Sequence, residues 1–337
     1  MPEHPDLSRA QETVEELLLG AVPHLNRVQV ADEAGVPLEV AEQLLRLLGF
    51  ARTSDEDVAF TDADVEALRH TKDLMELGIL GADSQAALVR TWGRSFARLA
   101  EWQTSLLADI ATEDADPHRR LTELSISVLP RVESLQSYIW RRHLASATGR
   151  ALATESPGTS ARPLAVCFVD IVGYTSRSKN LDEGELVGWL EHFEDAATGL
   201  VVDHGGRIIK TIGDEVLFVA DRATDAAEIA LLMTERGANA DDAFPEVRAG
   251  LAHGNVVSRL GDVFGPTVNI AARLTSVARP GSVLVDRGCY EELSGRGEDE
   301  DEGPLDEGAP YVFRRARRTS VKGYARLQPW ALRRAPQ

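Results

Sequence analysis

Two aspartates carry the chemistry this sequence suggests. Asp170 closes the buried run in LAVCFVDIVGY, and Asp214 sits at the tip of IIKTIGDEVLFV. A carboxylate at the end of an apolar strand must be paired, capped or bound to a cation, because burying it alone is costly. If the hairpin carrying Asp214 lies beside the strand carrying Asp170, two like charges meet at one sheet edge. A hard divalent cation, Mg²⁺ or Mn²⁺, relieves that repulsion and takes its remaining oxygens from water and phosphate. Taken singly, each residue has a plainer role: Asp170 as the cap of the Gly173-Tyr174-Thr175 turn, Asp214 as a turn residue.

Three further groups fit a phosphate-bearing ligand. Lys210 lies four positions before Asp214, in a chain with four lysines (Lys72, Lys179, Lys210, Lys322) among 36 basic residues. It suits a donor to a nucleobase or phosphate, or a strand-edge cation. Asn269 and Arg273 are four apart in GDVFGPTVNIAARL and share one face of an otherwise apolar helix. An arginine there offers a fork of donors to phosphoryl oxygens. A helix cap with a surface arginine is the plainer alternative. Asp262, in the loop before that helix, is placed to accept from a purine amino group or simply to make a turn.

The elements that must position these residues fall into two halves. Residues 10–150 read as helical, with a helix–turn–helix at 28–50, a helix from about 61, and long helices at 82–112 and 117–148. No β-pattern precedes residue 160. ATESPGTSARP (153–163) is a linker by composition. Beyond it strands are expected at 164–174, 207–212, 215–220, 247–259, 282–286, 310–317 and 324–332, with helices at 182–203, 223–237 and 268–278. The continuous apolar run of the first strand marks it as buried on both faces. This order predicts an α+β sandwich, an antiparallel-rich sheet with helices on one face. The acidic stretch 298–308 reads as a solvated loop.

The chain has 337 residues and carries 36 basic against 54 acidic side chains, a net charge of −18. Both halves are acidic: 1–150 holds 15 basic and 25 acidic residues (net −10), and 151–337 holds 21 and 29 (net −8). This opposes bulk electrostatic binding of nucleic acid or anionic lipid. Two cysteines, Cys167 and Cys289, exclude a disulfide framework. No signal peptide is seen at the N-terminus, and no apolar run approaches the roughly 18–20 residues that span a bilayer. A cytoplasmic, soluble protein without nucleic-acid or membrane partners is expected.

FVDIVGYT, KTIGDEVLF and GDVFGPTVNIAARL, in this order and spacing, resemble the signatures of the class III nucleotide cyclase domain. The resemblance covers roughly residues 162–333. It implies a ferredoxin-like α+β palm at 163–337, joined by a linker at 151–162 to an all-helical regulatory domain at 1–150. It also implies a head-to-tail homodimer with active sites between subunits. By that resemblance Asp170 and Asp214 hold two Mg²⁺ or Mn²⁺ ions, and Lys210 and Asp262 read adenine. Asn269 and Arg273 reach in from the opposite subunit to stabilise the transition state, and Arg259 and Lys322 bind the triphosphate. The expected activity is conversion of ATP to 3′,5′-cyclic AMP and pyrophosphate. The Lys/Asp pair disfavours GTP, since guanylyl cyclases usually carry Glu and a small or Cys residue there.

The helical half is similar to regulatory modules that precede the cyclase domain in actinobacterial cyclases. His24, His70, His118 and His143 fall in it, which suggests a proton as the signal, with a small ligand as the alternative. Its helix–turn–helix suggests the alternative of a DNA-binding regulator with a nucleotide-sensing domain. The second helix, LEVAEQLLRLLGF, opposes this: it has one cation, Arg46, against Glu39 and Glu42.

Overall fold

The computed structural model describes residues 13–50, 54–77, 82–152, 161–296, 309–318 and 327–336. The chain divides into two compact units, Met1–Pro157 and Gly158–Gln337.

The first unit is built from helices. α1 (Arg27–Ala34) starts at Asn26, whose side chain accepts from the Gln29 N–H while the Gln29 side chain accepts from the Asn26 N–H. This reciprocal cap satisfies two otherwise orphaned donors. α2 (Leu38–Leu48) follows the turn at Gly35, where φ is +65°, and stops at Gly49. α3 (Asp62–Glu76) has a second reciprocal cap, made by Thr61 and Asp64. α4 (Ala82–Thr112) and α5 (Pro117–Leu152) are long, and α5 runs through Pro130. Leu25, Val30, Ala31, Leu44, Phe60, Val65, Leu68 and Val89 form the core. Contrary to the expectation of no β-structure here, Leu25 and Phe60 make an isolated antiparallel bridge.

The second unit is one mixed sheet with helices. Its elements are β1 (Ala161–Ile171), α6 (Tyr174–Ser178), α7 (Glu183–Asp203), β2 (Gly206–Ile212), β3 (Glu215–Ala220), α8 (Ala223–Ala238) and β4 (Val247–Arg259). There follow β5 (Asp262–Phe264), α9 (Pro266–Val277), β6 (Val283–Val285), α10 (Arg287–Ser294), β7 (Tyr311–Arg315) and β8 (Trp330–Arg334). The strand order is β2-β3-β1-β4-β6-β8-β7, with β5 paired to β4. Only β4 and β6 pair in parallel among the described strands.

β1 is buried on both faces, as its apolar run requires. Ala165, Cys167, Val169 and Ile171 pack with Phe193, Ala197 and Val201 of α7 and with the apolar face of α8. Leu164, Val166 and Phe168 point the other way, toward Ala271 of α9. Helices therefore cover both faces, and the expectation of a single covered face is corrected: α9 lies opposite α7 and α8. Gly250 of β4 makes this possible. A Cβ there would lie 2.2 Å from the Thr275 nitrogen and 2.4 Å from the Ala271 carbonyl oxygen, so α9 rests directly on the strand. Thr275 Oγ1 donates to the Phe168 carbonyl at 3.2 Å, tying α9 to β1 as well.

Other differences are local. β1 ends at Ile171 rather than 174, because Gly173 takes φ +73° and opens α6. The segment after Gly261 forms the short strand β5 where the sequence pattern predicts a loop. Pro266 starts α9 two residues early, as proline does at a first helical position. The last strand is Trp330–Arg334, shifted from 324–332; residues 324–326 lie outside the described residues.

Candidate active site

Asp170 is the penultimate residue of β1. In the sheet it stands opposite Glu215 of β3 on one side and Arg248 of β4 on the other. Its neighbour Ile171 donates its N–H to the Asp214 carbonyl at 3.2 Å, which draws the β2–β3 turn against the end of β1. Gly213 adopts φ +65° to make that turn. The sheet thus brings Asp170 and Asp214 together.

The electrostatics record the crowding. Burial, then the charge of Asp170 and a hydrogen bond with its carboxylate, pushes the Asp214 carboxyl above the usual range; its own backbone N–H and Arg248 act in the opposite sense. Burial, then the charges of Asp170 and Asp214, pushes Glu215 up to about 7. Arg248 offsets part of this. Its Nε donates to Asp170 Oδ2 at 2.7 Å, and its Nη2 lies 2.6 Å from the same oxygen. Sequence reasoning missed both Glu215 and Arg248. A signal for Arg248 exists in VRAGLA, where a charged residue interrupts an apolar strand.

Among the described residues, no group of three or more His, Cys, Asp or Glu side chains is arranged to hold a metal ion alone. The neighbouring carboxylates of Asp170 and Asp214 nevertheless form a donor set that fits a hard divalent ion. Such an ion needs one or two carboxylates and completes its shell with water and phosphate oxygens.

Lys210 and Asp262 also meet, with Nζ to Oδ2 at 2.5 Å. β2 is irregular between Ile208 and Lys210, and this shift in register sets where Lys210 falls. Asp262 opens β5, opposite Arg259 at the end of β4. Arg259 is exposed, and Leu260 between β4 and β5 takes φ +56°. Lys322 lies outside the described residues.

Asn269 and Arg273 lie on the outer face of α9, while Ala271, Leu274 and Thr275 bury its inner face. Arg273 Nη1 lies 3.4 Å from Ser276 Oγ on the same helix. The structure therefore brings Asp170 to Asp214 and Lys210 to Asp262, and sets Asn269 and Arg273 on one exposed face of α9.

Comparison with known proteins identifies relatives of the chain. Residues 158–333 match the family described as the adenylate and guanylate cyclase catalytic domain. An adenylate cyclase of Streptomyces coelicolor is 43% identical over 285 residues, covering 83% of this chain and 74% of that protein. An adenylate cyclase of Glutamicibacter nicotianae is 36% identical, covering 95% of this chain and 81% of that one. A pH-sensitive adenylate cyclase of Mycobacterium tuberculosis is 32% identical, covering 89% and 76%. With its motifs, sheet and catalytic-domain match in accord, the chain belongs to the adenylate and guanylate cyclase family.

Proposed function

We propose that the chain is an adenylate cyclase that converts ATP to 3′,5′-cyclic AMP and pyrophosphate at the interface of a homodimer, under the control of its helical unit. The observation that carries this is the meeting of Asp170 and Asp214 at one sheet edge, in a unit that also joins Lys210 to Asp262. The adenylate cyclases that match it do so over most of both chains, which supports the activity.

Asp170 and Asp214 would hold two divalent ions, Mg²⁺ or Mn²⁺. When bound, such ions supply Lewis acidity to the ribose 3′-hydroxyl and to the triphosphate. The 3′-hydroxyl releases its proton to solvent as its oxygen bonds to the α-phosphorus and the bond to pyrophosphate breaks. Asp262 accepts from the adenine amino group, and Lys210 donates to the adjacent ring nitrogen. Guanine presents a carbonyl where adenine has the amino group, so the carboxylate would face an acceptor and go unsatisfied. Arg259 and Lys322 are assigned to the triphosphate.

Asn269 and Arg273 complete the site from a second copy. Their position on the outer face of α9, turned away from their own sheet, supports this. Arg273 offsets the charge that grows on the α-phosphate, and Asn269 acts beside it in stabilising the transition state. Two copies related by a twofold axis make two equivalent sites.

The matches cover 83%, 95% and 89% of this chain and so extend into the helical unit, which supports a shared arrangement in which that unit adjusts how two catalytic units meet. A proton or a small ligand is the proposed signal. No helix among the described residues is long and apolar enough to cross a membrane. A DNA-binding role is not favoured: α2 carries Glu39 and Glu42 against the single cation Arg46.

Incubating the purified chain with ATP or GTP and Mg²⁺ or Mn²⁺ tests the reading. Cyclic AMP from ATP is expected. Absence of any cyclic product, or preference for GTP, would overturn it.

A further inference from the structure

We propose that Arg248 is a positioning residue for the metal-binding pair, fixing Asp170 so that one carboxylate oxygen is held by the protein and the other is presented to an ion. This rests on the reading that Asp170 and Asp214 hold divalent cations. Three observations carry it. Arg248 is the residue directly opposite Asp170 in the β1–β4 ladder, so the backbone register places it. Both contacts of its guanidinium, 2.7 Å from Nε and 2.6 Å from Nη2, converge on Oδ2. Asp170 keeps only 17% of its side-chain surface exposed, so few other arrangements are open to it.

The rigid fork of arginine explains the choice of residue. Two donors of one planar group aimed at the same oxygen hold Oδ2 in place more firmly than the single rotatable point charge of an ammonium does. Oδ1 is then the oxygen left to an ion. The positive charge of Arg248 repels a cation, but the cluster also holds Asp214 and Glu215, so attraction dominates. Before an ion binds, the same guanidinium is the counter-charge that lets Asp170 sit beside Asp214. Partners that orient metal-binding carboxylates in this way typically change metal affinity about 10–100-fold when removed.

The test is a titration of the full chain with free Mn²⁺ and no nucleotide, followed by the electron paramagnetic resonance signal of the unbound ion. Arg248→Gln should weaken Mn²⁺ binding about 10–100-fold, with a thermal melt showing that the variant is folded. In turnover assays the apparent KM for Mn²⁺ should rise by the same factor, and saturating Mn²⁺ should restore most of kcat. Arg248→Lys, which keeps the charge and loses the fork, should show an intermediate loss. A folded Arg248→Gln that binds Mn²⁺ as tightly as the parent, or more tightly, overturns the proposal. If Arg248→Gln does not fold, unchanged affinity in Arg248→Lys overturns it instead. Asp170→Asn separates the two levels. If it abolishes Mn²⁺ binding while the Arg248 variants do not change it, only the role of Arg248 fails. If the parent binds no Mn²⁺, or Asp170→Asn leaves binding intact, the metal reading fails and Arg248 with it.

Discussion

Lys210 and Asp262 are 52 residues apart in the chain, yet their side chains meet at 2.5 Å. Each is the other's partner; in the proposed reading this orients the donor and the acceptor for adenine before any base arrives. Preorganisation of this kind lowers the cost of recognition. Changing both residues, Lys210→Glu with Asp262→Cys, should reverse the hydrogen-bonding pattern. The expected result is a loss of about 10²-fold or more in kcat/KM for ATP and a gain for GTP, measured by cyclic-product formation with each nucleotide. Equal loss for both nucleotides would mean that the pair does not read the base.

Arg273 should act on turnover more than on binding. If it meets charge that exists only in the transition state, Arg273→Ala lowers kcat about 10²–10³-fold and leaves KM for ATP close to its parent value. A rise in KM with kcat preserved would place Arg273 in ground-state binding. Its position on the outer face of α9 makes a fold-level effect small, and a thermal melt checks that.

Gly250 is a packing position rather than a hinge. A side chain there would put its Cβ 2.2 Å from the Thr275 nitrogen and 2.4 Å from the Ala271 oxygen, so Gly250→Ala must push α9 off β4. Overpacking of this kind costs about 1–3 kcal/mol. Denaturant unfolding should show that loss, and activity should fall further than stability, because Asn269 and Arg273 move with α9. Unchanged stability would mean the helix shifts freely.

The loop after α8 carries an acid-sensitive contact. Arg236 donates to both Asp242 oxygens, at 2.9 and 3.0 Å, and the Phe244 N–H donates to Asp242 Oδ1 at 2.9 Å. The Arg236 hydrogen bond, then that of Phe244, lowers the Asp242 pKa from 3.8 to about 2. A depressed folded-state value means that the folded state favours the ionised carboxylate. Its stabilisation is complete above about pH 4 and is lost as pH falls toward 2. Asp242→Asn should therefore reduce stability at neutral pH and flatten its decline between pH 4 and 2, read from urea unfolding at several pH values. A parallel decline in both proteins would contradict the assignment.

The sheet and its acidic edge were legible because they rest on local signals. An apolar run ending in Asp170 and a Gly213-Asp214 turn each announce themselves within a dozen residues. Arg248 was not legible in the same way, since its meaning depends on the register that sets it opposite Asp170 across 78 residues of chain. Likewise α9 reads as an ordinary apolar helix; its place on the second face follows from the missing side chain of Gly250, a long-range steric fact. β5 is three residues long and has no periodicity to detect. Cofactor and subunit assignments came through the family motifs, which carry more information than composition or spacing.

In the proposed dimer, acids from one copy and Arg273 from the other share each site. Asp170→Asn and Arg273→Ala chains should each be nearly inactive alone. Mixed in equal amounts and allowed to exchange, about half of the dimers contain one of each, and one of their two sites is intact. Activity should then return to about a quarter of the parent value, measured as cyclic AMP formed from ATP. A mixture no more active than its two separate components would contradict the account.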